Sequence, residues 1–184
     1  MKLMALKIPD VVLIELDINQ DDRGWFMENY NYLGLAKAFK ELGIAAPEKF
    51  VQDNHSFSRQ GVLRGLHYQR TKPQGKLLRV THGEAFDVVV DLRRASPTFG
   101  QWIGITLSGD KPEMLWVPPG MAHGFYARTD VEVQYKCSEY YLPDDEACLQ
   151  WNDLTLAIEW PLNDAPVLSE KDRKGMSWSE ATHS

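Results

Sequence analysis

Val131-Glu132-Val133-Gln134-Tyr135-Lys136 alternates apolar and polar side chains with a period of two, the signature of a β-strand with one buried and one wet face. Val131, Val133 and Tyr135 share one face, so Tyr135 is expected to point into the core with the valines. Upstream, Leu77–Val80, Ala85–Asp91, Trp102–Leu107 and Met114–Val117 are short runs rich in β-branched and aromatic residues, separated by Gly, Pro, Asp and Ser. Short strands at this spacing predict an all-β sandwich or jelly roll. Val11–Leu16 opens with a strand-like run, and the turn residues Asp21-Asp22-Arg23-Gly24 follow, which predicts an N-terminal hairpin. A helix is predicted between Tyr32 and Leu42, where Leu35, Ala38, Phe39 and Leu42 recur at helical spacing and Gly43 supplies a stop. After Trp151 the chain is rich in Pro, Asp and Ser and reads as a loop-dominated closing segment with one or two short helical turns.

Composition narrows the function. A chain of 184 residues with 43% hydrophobic and 25% charged residues is expected to form one core over residues 1–184. No apolar run approaches the roughly 20 residues a membrane helix needs, and the first ten residues lack a signal-peptide pattern, so a cytoplasmic protein is expected. A net charge of −6 excludes a general phosphate-backbone binder and leaves room only for a local basic pocket. Cys137 and Cys148 have no metal-motif spacing and are expected to be buried or partly buried thiols.

Polar function concentrates in Gln52-Asp53-Asn54-His55-Ser56 and Gly61-Val62-Leu63-Arg64-Gly65-Leu66-His67-Tyr68-Gln69. Arg64 and His67 flank a glycine, and a glycine within a strand marks a bulge or a close backbone approach to a ligand. Such a bulge would aim both side chains at one cavity. Taken alone, His67 reads more readily as a hydrogen-bonded core histidine, and Lys76 equally well as a snorkelling edge lysine. Pro118-Pro119-Gly120-Met121-Ala122-His123 places a histidine three residues past a turn, as in the second motif of cupin barrels. Metal-binding cupins carry a His-x-His pair in the first motif, where this chain has His67-Tyr68-Gln69. With only His67 and His123 available, the set falls short of what zinc or iron requires, and no metal is expected.

Together with Ser96-Pro97-Thr98-Phe99-Gly100, Tyr135-Lys136, Trp151-Asn152-Asp153 and Ser169-Glu170-Lys171-Asp172, these stretches resemble the dTDP-4-dehydrorhamnose 3,5-epimerases. The resemblance implies a cupin-type jelly-roll sandwich with one or two short helices, and an isomerase that works without a cofactor. Inverting a carbon beside a ketone needs a base on one face of the ring and an acid on the other. By resemblance the base is His67, oriented by Asp172, and the acid is Tyr135, while Lys76 steadies the enolate oxygen. His123 matches a neighbouring substrate contact. Arg23, Arg64 and Lys171 match diphosphate contacts, Glu28, Gln52, Asp53, Asn54 and Glu146 further nucleotide-sugar contacts, and Phe26 and Tyr141 groups that flank the base. The resemblance further implies a homodimer in which the Arg23–Glu28 segment reaches the neighbouring subunit's site. A relative inverting only C3 or only C5, and a cupin that binds a nucleotide sugar without turning it over, remain open alternatives.

Overall fold

The computed structural model describes residues 1–183. Two antiparallel sheets lie face to face. The first has six strands, in the order β1 (Lys2–Ala5), β2 (Val12–Glu15), β10 (Glu113–Val117), β7 (Lys76–His82), β12 (Val131–Cys137) and β5 (Gln52–Ser58). The second has five, in the order β13 (Glu146–Cys148), β6 (Leu63–Gln69), β11 (Met121–Ala127), β8 (Glu84–Asp91) and β9 (Trp102–Ser108). The fold is the expected jelly-roll sandwich of cupin type.

Alternation decides which residues fill the space between the sheets. Leu13, Leu78, Val80, Leu115, Val131 and Val133 from the first sheet meet Ala85, Val89, Leu107, Met121 and Phe125 from the second in one buried cluster. Tyr135 packs against its edge, on the valine face as its alternation predicts. Some strands are apolar on both faces because both faces are covered. Val89 faces the inner cluster, whereas Val88 and Val90 face an outer one built with Leu66, Ala122, Leu149 and Leu156. The closing segment covers that outer face, and its short helices are α2 (Glu170–Arg173) and α3 (Trp178–His183). On the opposite outer face α1 (Tyr32–Glu41) buries Leu35 and Phe39 against Ile14, Leu77 and Trp116. Asn31 caps its start by accepting the Gly34 N–H at 3.2 Å, a contact that satisfies one of the free donors of a first turn.

The N-terminal hairpin differs from expectation. The strand over Val12–Glu15 does not fold back across Asp21–Gly24. It pairs with β1 on one side and β10 on the other. The turn residues instead close a separate ribbon, β3 (Asn19–Asp21) with β4 (Gly24–Phe26), on which Trp25 and Phe26 are exposed. Turn chemistry located the turn correctly, but the partner of a fully buried strand is set by the sheet that covers it. Cys137 and Cys148 are both buried and free. Among the described residues no helix is long and apolar enough to cross a membrane.

Candidate active site

One end of the sandwich is lined with polar side chains instead of aliphatic ones, and strand register explains how they arrive there. His67 and His123 are direct partners across β6 and β11, and the next paired residues are Arg64 and Phe125. Three steps on β6 therefore match two on β11, a bulge of one extra residue at Gly65-Leu66. The extra residue turns a spacing of three, which would split the side chains between faces, into a shared face for Arg64 and His67. Phe125 lies on that face and belongs to the inner core, so the face points inward. The glycine serves close contact between the two strands. Gly65 has φ +122, and a Cβ there would lie 2.6 Å from Gly124 Cα on the adjacent strand.

The same bookkeeping fills both walls. On the five-stranded wall, Cys148 is the register partner of His67 and Glu146 of Gln69. Asp87 pairs with Phe125, so it too faces inward. On the six-stranded wall Tyr135 is flanked by Leu78 and Asn54, and Cys137 by Lys76 and Gln52. Because Leu78 belongs to the inner core, Tyr135, Asn54, Lys76 and Gln52 face the same interior. Lys76 sits on β7, in the middle of its sheet and not at an edge.

Both histidines are held by carboxylates. His67 Nε2 lies 2.6 Å from Asp172 Oδ1, and His123 Nε2 lies 3.0 and 2.9 Å from the two oxygens of Asp87. Each ring is thereby left with Nδ1 for other work. Asp172 is buried, and burial would raise its carboxyl. Hydrogen bonds from His67, Ser169 Oγ and the Gly65 N–H outweigh this and hold it at about 2. It is a carboxylate at any physiological pH. His67, Cys148 and Asp172 bring an N, an S and an O within 4.8 Å of one another, a grouping that resembles a metal site. Its chemistry fits poorly. Oδ1 already accepts from His67, Gly65 and Cys148, and burial followed by the Asp172 charge pushes the thiol up to about 12, so it stays protonated.

The opposite wall has complementary shifts. Burial raises the Tyr135 phenol above its usual range, with Arg64 opposing, so it remains a proton donor. Burial lowers the Lys76 ammonium, with Cys137, Glu146 and Asp87 opposing. At the mouth, Glu146 accepts from Tyr141 Oη at 2.6 Å and from Lys171 Nζ. That bond, with burial, pushes the Tyr141 phenol up to about 12.

His67 with its carboxylate and Tyr135 thus occupy inward positions on facing walls, with Lys76 on the Tyr135 side. Among known proteins, the dTDP-4-dehydrorhamnose 3,5-epimerase family matches residues 5–180. The chain belongs to this family. It is 53% identical over 182 residues to the dTDP-4-dehydrorhamnose 3,5-epimerase of Pseudomonas aeruginosa, covering 98% of both chains. Its fold is similar to the crystal structure of the Legionella pneumophila 3,5-epimerase in complex with dTDP-4-keto-L-rhamnose, with TM-score 0.87 and 46% identity over 96% of this chain and 92% of that one. A more distant likeness, 30% identical with TM-score 0.87, is a 3'-monoepimerase from Streptomyces bikiniensis in complex with dTDP-quinovose, covering 97% of this chain and 89% of that one.

Not every family position reaches this cavity. Asp53 alternates outward from Asn54 and pairs with Lys136 at 2.6 Å on the outer face, away from Tyr135 and Asn54. Arg23, Phe26 and Glu28 are exposed on or beside the β3–β4 ribbon, and Arg23 is tied to Asp21 at 2.6 Å. Arg64 donates to Ser58 Oγ and the Phe57 carbonyl. Gln52 donates to Asn54 at 3.0 Å and accepts the Tyr141 N–H. Sequence reading missed Asp87, Ser169 and the work of Gln69. Asp87 carried a signal, as the only charge within the apolar run Ala85–Val90 at an inward position. Gln69, where metal-binding cupins place their second histidine, donates to the carbonyls of Lys72 and Tyr140 and accepts from the Leu142 N–H, pinning the loop that carries Tyr141.

Proposed function

We propose that this chain inverts C3 and C5 of dTDP-4-dehydro-6-deoxy-D-glucose, giving dTDP-4-dehydro-L-rhamnose, by proton abstraction next to the C4 ketone and return of a proton from the opposite face. One observation carries the reading: His67 with its buried carboxylate and Tyr135 lie at inward positions of opposite sheets. With Nε2–H held by Asp172, Nδ1 of His67 takes the proton from carbon. The C–H electron pair moves into the ring and onto the C4 oxygen, and the resulting enolate is steadied by the Lys76 ammonium, with His123 as a neighbouring substrate contact. Asp172 stabilises the imidazolium by charge. The Tyr135 phenol then delivers its proton to the far face, and solvent restores both groups before the second carbon reacts. The ketone itself acidifies both carbons, so the chemistry calls for no cofactor.

Remote binding energy holds the ring between base and acid. Arg64 and Lys171 suit the diphosphate, with Glu146, Tyr141, Gln52 and Asn54 framing the mouth. Arg23, Phe26 and Glu28 complete the site of a second copy in a homodimer, which accounts for two exposed aromatic rings beside an arginine on the β3–β4 ribbon. The setting is cytoplasmic deoxysugar synthesis, with a reductase as consumer of the ketone product. Incubation with dTDP-4-keto-6-deoxyglucose in heavy water tests the reading. Deuterium at both C3 and C5 is expected. Label at one carbon would move the chain to the monoepimerases, and no label with retained binding would make it a binding protein.

A further inference from the structure

We infer that Ser169 is a positioning residue for catalysis, whose hydroxyl sets the start of α2 and the aim of the Asp172 carboxylate through one closed pair of hydrogen bonds. The inference rests on the His67–Asp172 reading given above. Ser169 is the N-cap of α2 and Asp172 its third residue. In an ordinary capping box the carboxylate at that position turns back to the backbone N–H of the cap residue. Here the cap hydroxyl does both jobs. Ser169 Oγ accepts the Asp172 N–H at 3.1 Å and donates to Asp172 Oδ2 at 2.6 Å. Oδ2 is thereby occupied, and Oδ1 is turned to His67 Nε2 at 2.6 Å with the Gly65 N–H at 3.3 Å on the same oxygen.

The need for such a device follows from where Asp172 comes from. Its carrier is a helix of only four residues in a loop-rich segment, so no strand ladder fixes the carboxylate. The groups that face it are few: His67 from β6, Cys148 from β13, and, next to these, the Lys171–Glu146 ion pair. Among the described residues, Ser169 is the one hydroxyl that donates to it. Removing it leaves Oδ2 unpaired in a buried place, makes the carboxylate more basic and frees it to rotate.

The test compares S169A, S169G and S169T with D172N. Glycine is a serviceable N-cap without a hydroxyl, so S169G separates capping from positioning. For both S169A and S169G, kcat is expected to fall about tenfold with KM little changed, the loss of one charge-assisted hydrogen bond. The acid limb of the kcat profile should move to higher pH, because a more basic Asp172 favours the imidazolium. The downfield proton resonance of the His67–Asp172 bond should shift, and S169T should restore all three. Wild-type kcat and acid limb in S169G, with D172N crippled, would overturn the positioning role alone. Wild-type turnover in D172N would overturn the dyad reading beneath it.

Discussion

Two histidines face each other across one rung of the β6–β11 ladder, and the carboxylates that hold them are built in opposite ways. Asp87 lies within β8, paired on both sides by β9 and β11, and grips His123 with both oxygens. Asp172 comes from a four-residue helix and reaches His67 with one oxygen. The His67 side chain is 26% exposed and that of His123 10%. The base role proposed for His67 requires a ring that substrate can reach. A ring proposed only to contact substrate does not need the same exposure. The ladder fixes one carboxylate, and in the closing segment a side-chain hydroxyl, Ser169, holds the other.

The comparison can be broken at its strongest point first. His67→Asn is expected to lower turnover by about 10³-fold while leaving dTDP binding intact, as loss of a general base does. Steady-state rates and calorimetry with dTDP check this, and an equal loss for His123→Asn would erase the distinction between the two rings. Next in size, Asp172→Asn should cost about 10²-fold in kcat, because the amide imposes the wrong tautomer and no longer stabilises the imidazolium. Asp87→Asn should cost only about tenfold, since it loosens the hold on a substrate-contacting ring without disabling the base. Parallel kcat measurements sharpen the comparison, and equal losses would make the pairs chemically equivalent.

The smallest effect is on stability in acid. Asp172 titrates at about 2 in the folded chain, below the roughly 3.9 of an unfolded aspartate. Between those values the unfolded state binds the extra proton, so the stabilisation is complete above about pH 4 and is lost as pH falls toward 2. Asp91, held at about 2 despite the opposing effect of burial by bonds from Arg93, Ser96 and Thr98, behaves the same way outside the site. Thermal melts from pH 5 to pH 2 should therefore fall less steeply for Asp172→Asn than for the parent chain. Identical slopes would place the acid sensitivity elsewhere.

Much of the site was legible because alternation is local. Tyr135 points inward for the reason its valine neighbours do, and the glycine between Arg64 and His67 marked the bulge that puts both on one face. The same alternation also tells Asp53 from Asn54 once the strand is in place. Membership of the family motif had grouped them together, and the outward pairing with Lys136 separates them. Asp87 was visible only as an oddity in an apolar run, since its partner lies 36 residues away.

By itself the sequence determined the strand rhythm, the inward face of β12, the bulge in β6, the first helix and the family. These follow from periods of two or 3.6 and from backbone freedom at glycine, which act over a few residues. Only the tertiary structure decided that β2 pairs with β1 and β10, that Asp87 rather than solvent holds His123, and that Ser169 aims Asp172 at a histidine 105 residues earlier in the chain. Those outcomes depend on strand register and on which buried polar groups must find partners, and neither is fixed until the two sheets close on each other.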